Sequence, residues 1–292
     1  MTIRPLLYLS ILLIISSCDK VFSIPFPVQS NKVVLSLFLN KDSVIVGRVS
    51  LSGERPFRYS AVQEIKDAVV NLYENGTFRE TLTRYDTFGL TFYRGNTLPR
   101  AGATYQVTAV VPGYSEVSGS DYIPDTVKIG EMRMTVAQAN NSRSNVTINL
   151  QLHDDAAVQN FYRIRIYHVS ESLNPDGTVG RQQKGLMDFE TDDTEWGVFG
   201  NKARKEFYTT DALFNGRSVR LTFRTTNIGQ FKKMIIEVSS LTYGSYNYLN
   251  STYMSQENND DPLSEKVIVY NNIENGLGIV GGVAQREYDL VR

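Results

Sequence analysis

The sequence predicts an all-β protein of two sandwich domains, immunoglobulin-like in kind, with one short helix in the second. Three observations carry that prediction. Runs of alternating apolar and polar residues recur, as in "VVLSLFLN" and "TYQVTAVV", and that alternation is the two-residue period of a strand with one buried face. Turn pairs such as Asn75-Gly76 and Asn215-Gly216 punctuate the runs, supplying the positive φ angles of tight hairpins. Aromatic residues are plentiful, with 17 Tyr and 14 Phe, and they suit a pleated, half-buried surface.

The first element is not a strand. "MTIRPLLYLSILLIISSC" carries one basic residue, Arg4, then an apolar stretch from Leu6 to Ile15 and two serines. Residues 1–17 therefore read as a signal peptide, and the stretch is shorter than the about 20 residues of a spanning helix. Ile15-Ser16-Ser17-Cys18 resembles the bacterial lipobox: aliphatic, small, small, cysteine. The resemblance implies cleavage before Cys18 and acylation of its thiol, with more than one acyl chain holding the protein on a membrane. Cys18 is also the one cysteine of the chain. Once it is acylated, a disulfide and a cysteine-ligated zinc are excluded. With 2 His in 292 residues, no metal or other cofactor is expected. Residues 18–30, short and proline-bearing, read as a tether.

From Lys32 the alternation begins. "VVLSLFLN" and "SVIVGRVSL" are strands separated by the turn-like Asn40-Lys41-Asp42. "DAVVNLYENGTFRETL" is a hairpin, with Ala68, Val70 and Leu72 on one face, Asn75-Gly76 at the turn, and Phe78 and Leu82 on the returning strand. In "GATYQVTAVVPGY", Tyr105, Val107, Ala109 and Val111 share a face and Pro112-Gly113 ends the run. These strands form a first domain over residues 31–135.

"AQANNSRSN", from Ala137 to Asn145, lacks periodicity and reads as a linker. A second domain, residues 145–292, follows with strands in "VTINLQLHD", "NFYRIRIYHV", "RSVRLTFRTT" and "KKMIIEVSSL". Between them Ser170 to Asn201 reads as a long polar loop holding the single tryptophan, Trp196, and loops of that length are commonly functional. Trp196 is the candidate ligand or partner contact. "SYNYLNSTYMSQ" is the one helical pattern: Tyr246, Leu249 and Tyr253 recur at helical spacing as a core-facing stripe, with Ser245 as N-cap. "KVIVYNNIENGLGIVGGVAQREYDLV" closes the chain as two short strands around a glycine-rich bend.

Little in the chain reads as catalytic machinery. "GLGIVG" (Gly276, Gly278, Gly281) matches a dinucleotide-binding pattern, but eleven residues follow it and they alternate like a strand. The fingerprint needs a helix there and an acidic residue about 20 positions on. His153 and His168 lie in strand patterns without a nucleophile elbow nearby. Asp154-Asp155, Asp192-Asp193 and Asp260-Asp261 are paired carboxylates that read as solvated turns, and "ENNDDP" (Glu257 to Pro262) lacks the spacing of a calcium loop. The expectation is a non-enzyme. Charge is nearly balanced, 30 Lys plus Arg against 31 Asp plus Glu, so no nucleic-acid partner is expected.

Taken together, the lipobox, "DAVVNLYENG", "YRIRIY", "DALFNGRSVRL" and "DPLSEKVIVYNNIENGLGIVGG" resemble one family. It is the Bacteroidota outer-membrane lipoprotein family numbered four-two-four-nine among the domains of unknown function. The closing pattern there is Asn-Ile-x-Asn-Gly-x-Gly-Ile-Phe-Gly, and Val280 stands here in the Phe position. The resemblance implies two sandwich-like domains, an outer-membrane location and a TonB-dependent transporter as partner, and it brings no catalytic residues. Asp42-Ser43-Val44 and Asp125-Thr126-Val127 resemble the O-glycosylation triplets of exported Bacteroidota proteins, making Ser43 and Thr126 candidate modification sites. Asp19 followed by Lys20 is a weak version of the acidic export signal and favours the cell surface over the periplasmic face. The function expected is a binding or accessory lipoprotein in nutrient uptake. The alternative is a structural or adhesive surface module without a small ligand.

Overall fold

The computed structural model describes residues 31–53, 63–140, 143–174, 176, 178–191, 203–258 and 265–291. The first half of the chain forms β1 (Val33–Asn40), β2 (Val46–Leu51), β3 (Gln63–Glu64), β4 (Val69–Glu74), β5 (Thr77–Thr81), β6 (Thr83–Thr87), β7 (Leu90–Arg94), β8 (Thr104–Val110) and β9 (Val117–Tyr122). The second forms β10 (Lys128–Asn140), β11 (Arg143–His153), β12 (Phe161–Leu173), β13 (Val179–Leu186), β14 (Glu190–Thr191), β15 (Glu206–Thr210), β16 (Ser218–Ile228), β17 (Lys233–Leu241), α1 (Tyr243–Asn258) and β18 (Leu277–Val291).

Alternation builds the first core. Val33, Leu35, Leu37 and Leu39 of β1 face Val70 and Leu72 of β4 and Tyr105, Val107 and Ala109 of β8, all buried in one cluster. One layer is β5-β4-β8-β9; the other runs β6-β7-β2-β1-β18, with β3 also on β2. The Asn75-Gly76 turn has φ of 49° and 77°, the left-handed pair a type I′ hairpin requires. The second core packs β11 and β16 against β12 and β17, with Phe223 edge-on to Phe189 and Phe207 at 5.3 and 5.8 Å.

One strand belongs to both sandwiches. β18 pairs in parallel with β1 from Leu277 to Val283, then antiparallel with β17 from Val283 to Val291. Val283, at the changeover, is buried with Phe161 and Leu241 in a small third core, against which Phe38 and the α1 residues Tyr246 and Leu249 pack. Gly278 and Gly281 of "GLGIVG" belong to this strand, and Gly276 comes just before it. Gly278 sits at φ 116°, and a Cβ there would strike the Leu35 carbonyl oxygen. The glycine is there because two backbones pass too closely for a side chain.

Several expectations need correction. Ala137 to Asn145 is not a linker: Ala137 pairs with Asn145 and Gln138 with Ser144 across the β10–β11 hairpin. This ribbon runs beyond the core, where both faces meet water, so its strands carry no alternation. The change from one sandwich to the other falls at 123–127, between β9 and β10, rather than at 136–144. Ser170 to Asn201 is in good part a hairpin too, since β12 runs to Leu173 and β13 returns beside it. "KVIVY" forms no strand, and Ile268 is 90% exposed; the closing element is the single long β18. The helix begins before Ser245, which donates its hydroxyl to the Gly282 carbonyl at 2.9 Å. Thr242 caps the helix, accepting the Ser245 amide on Oγ1 at 3.2 Å.

Candidate functional site

Along β12 the side chains divide cleanly. Tyr162, Ile164 and Ile166 enter the second core, which leaves Arg163, Arg165 and Tyr167 on the opposite face. Register then places Ser239 opposite Arg163 and Glu237 opposite Arg165 on β17. On the other edge β15 sets Tyr208 beside Arg163 and Glu206 beside Arg165.

Glu237 is the centre of this polar floor and is 1% exposed. Arg165 donates to it through Nε at 2.7 Å and Nη2 at 2.9 Å, a two-pronged geometry that suits a carboxylate. The Tyr167 hydroxyl donates to Glu237 at 3.2 Å, and Arg163 Nη2 lies 3.4 Å from both Glu237 and Ser239. Glu206 faces Arg165 at 3.5 Å and accepts from the Tyr208 hydroxyl. Burial, joined by the Glu237 charge, pushes the Tyr167 phenol up to about 12. Burial and the Glu206 charge raise Tyr208 as well. Burial alone would lower Arg165, but Glu237 reverses that and holds its guanidinium above the ordinary value.

An aromatic wall stands beside the floor. Tyr246 lies 5.1 Å from Phe161 and 6.3 Å from Tyr208, while Tyr253 lies 6.0 Å from Tyr208. The stripe expected to face a core thus does so through Tyr246 and Leu249, and its edge also borders the charged floor. Arg163 is 8% exposed, and its Nε has no hydrogen-bond partner among the described residues. A buried donor left this way carries a desolvation cost of about 1–3 kcal/mol. Guanidinium groups and tyrosine faces thus stand side by side, with Arg163 and Arg165 paired to Glu237 and Glu206. Glu237 is engaged by Arg165, Arg163 and Tyr167, an arrangement for holding charge in place. A hollow of about 260 Å³ lies on the outer face of β10, β11 and β16, lined by Glu131, Arg133, Asn149, Gln151 and Arg220.

The residues singled out from sequence are scattered. Cys18, Trp196, Asp192-Asp193 and Asp260-Asp261 lie outside the described residues, as does most of the Glu257–Pro262 segment. Ser43 is half-buried in the β1–β2 turn, accepting from Asn40 Nδ2 at 3.1 Å. Thr126 is half-buried between β9 and β10. His153 Nδ1 is 2.5 Å from Ser218 Oγ across the β11–β16 pair. The His168 Nδ1 is buried without a partner among the described residues. Sequence reasoning passed over Arg163, Arg165 and Glu237, although a signal was present. "YRIRIY" places a charge at alternate positions of an apolar strand, and Glu237 is the single charge within "MIIEV". A lone charge on a strand buried on one side asks for a partner across the ladder.

Fold and site together define an all-β protein of two sandwiches, sewn by one strand and bearing a charged, tyrosine-walled floor beside the helix at their junction. The chain belongs to the family described as Domain of unknown function (DUF4249), whose model matches residues 19–289. No curated protein matches it. Among the described residues, no helix is long and apolar enough to cross a membrane, and no group of His, Cys, Asp and Glu has the makings of a metal site.

Proposed function

We propose that this protein is a lipid-anchored outer-membrane lipoprotein that binds cargo or covers it for a TonB-dependent transporter in nutrient uptake. The observation that carries the reading is "LLIISSC", a short apolar stretch ending in the sole cysteine of the chain. Acylation of Cys18 places the body at a membrane, and the Arg163–Arg165–Glu237 floor with its tyrosine wall supplies a surface for a polar cargo. On this reading the protein is not an enzyme, and it faces the cell surface rather than the periplasm.

Two measurements test the proposal. Intact mass of the native protein is expected to show cleavage before Cys18 and added acyl mass, and Cys18→Ala is expected to abolish both. Solubilising the outer membrane in mild detergent is expected to bring a transporter barrel down with the lipoprotein. Recovery of the lipoprotein free of any barrel would overturn the partnership. A structural or adhesive surface module is the second reading, favoured by the internal pairing of Arg163 and Arg165 with Glu237. Loss of cell–cell adhesion with intact uptake in a deletion strain would select it.

A further inference from the structure

Two hairpins of the first sandwich turn with the same backbone. Asn75-Gly76 joins β4 to β5 at φ 49° and 77°, and Phe88-Gly89 joins β6 to β7 at φ 49° and 77°. The first uses asparagine, whose short polar side chain tolerates left-handed φ. The second uses phenylalanine, a bulky residue for which that region is strained. Phe88 gains no burial in exchange, being 100% exposed. The fold of the sandwich therefore does not account for this residue, and a strained, exposed aromatic points to a contact outside the chain.

Topology says where that contact lies. β1 and β7 both run antiparallel to β2, so they point the same way. The turn before β7 accordingly lies toward the end of the sandwich where β1 begins, at Val33. The second sandwich attaches at the other end, where Val283 pairs with Asn40. Further exposed apolar side chains gather at the Phe88 end: Leu90, Tyr114, Leu277, and the facing pair Val69 and Val110. The chain also enters there. Twelve residues separate Cys18 from Asn31, so the two lie at most about 45 Å apart.

We propose that Phe88 inserts into the lipid surface that holds the acylated Cys18, with the apolar rim around it resting at the headgroups. This rests on the lipid-anchor reading above. Phenylalanine, like Trp and Leu, is a residue that interfacial segments bury at the headgroup–acyl boundary, and near-neutral net charge leaves apolar contact as the means of attachment. A flexible anchor alone leaves the body free to tumble. A second contact at Phe88 stands the first sandwich on end and directs the second sandwich, with its charged floor, away from the membrane.

The test uses the full acylated protein in phosphatidylethanolamine–phosphatidylglycerol vesicles. Because the lipid occupies the Cys18 thiol, Phe88→Cys introduces a single free thiol for an environment-sensitive NBD label. Leu98→Cys does the same near the opposite end, where Pro99 accepts from the Asp42 amide. The label at 88 is expected to emit to the blue and be quenched by headgroup-proximal doxyl lipid, while the label at 98 emits as in water. A label at Tyr114→Cys is expected to be shielded in the parent and to lose that shielding in Phe88→Asn, a variant whose turn Asn75-Gly76 shows to be compatible with the fold. If the protein floats with the vesicles while the label at 88 stays water-like, this proposal falls and the anchor stands. Shielding that arises only with a co-purified barrel in detergent makes the occupant a protein and also overturns it. Protein that carries no acyl mass and does not float defeats the anchor reading, and this inference with it.

Discussion

Replacing Asn272 by alanine is expected to destabilise the whole molecule by an amount the structure lets one work out. Between Leu277 and Gly282, β18 has β1 on one edge, while β17 joins the other edge only from Val283 onward. Asn272 stands in for the missing strand. Its Nδ2 donates to the Val280 carbonyl at 2.8 Å and its Oδ1 accepts from the Val280 amide at 3.0 Å. The Val280 side chain is wholly buried beneath them. Asn272→Ala removes both partners, and each orphaned buried backbone group costs about 1–3 kcal/mol. With partial access of water to the half-exposed site, the loss is expected at about 2–4 kcal/mol. For a protein of this size that corresponds to a fall in Tm of roughly 3–7 °C. Urea unfolding followed by circular dichroism measures it. One transition is expected, because β18 contributes to both cores and neither keeps its full complement of strands without it. Asn272→Asp keeps the acceptor but sets a carboxylate against the Val280 carbonyl, so it is expected to be no more stable than the alanine variant at neutral pH. An alanine variant within about 0.5 kcal/mol of the parent, the range of an ordinary surface change, would show that Asn272 does not replace a strand. A first sandwich that melts alone would show that β18 does not couple the two cores.

The remaining expectations are as follows. Asp121 accepts from the Gly282 amide at 2.9 Å and from the Thr242 hydroxyl, tying β9 to the strand changeover and to the helix cap. Burial raises its pKa above the ordinary aspartate value. Its proton is therefore held more tightly folded than unfolded, so its contribution to stability falls as pH rises from the ordinary aspartate range through the raised folded value. Asp121→Asn is expected to remove that slope in a pH series of urea midpoints, whereas an unchanged slope would assign it to other groups. Glu237→Ala leaves Arg163 and Arg165 without their shared carboxylate, and breaking a buried pair from one side costs about 3–5 kcal/mol; equilibrium unfolding checks this, and a loss below about 1 kcal/mol would mean that water screens the floor. Phe88→Asn is expected to stabilise by about 1 kcal/mol through relief of left-handed strain, read as a higher Tm, and a lower Tm would show that Phe88 packs within the fold.

The parts of the fold that were legible beforehand are those whose cause is local. Val70 and Leu72, and Tyr105, Val107 and Ala109, are buried as their alternation requires, because side-chain direction in a strand follows from the two-residue period alone. Asn75-Gly76 turns as its chemistry dictates. Where the cause was not local, the reading failed. Ala137 to Asn145 looks like a linker because a ribbon wet on both faces carries no hydrophobic period. Ser245 looks like an N-cap because only the packed structure shows its hydroxyl drawn to Gly282, leaving the cap to Thr242. The polar floor was half visible, as charges spaced along "YRIRIY". Its partner Glu237 lies 72 residues further on, and strand register alone brings the two together.

Local pattern thus suffices for an all-β chain, the faces of its strands and its tight turns. The packing of distant segments is what makes β18 sew two sandwiches into one sheet, sets Asn272 as a stand-in strand, and brings Arg163, Arg165 and Glu237 together beside a tyrosine wall. It also decided that Phe88 projects at the end where the chain enters. The reason is physical. Periodicity and turn chemistry act over a few residues, while strand pairing, burial and the meeting of charges depend on which distant segments lie side by side.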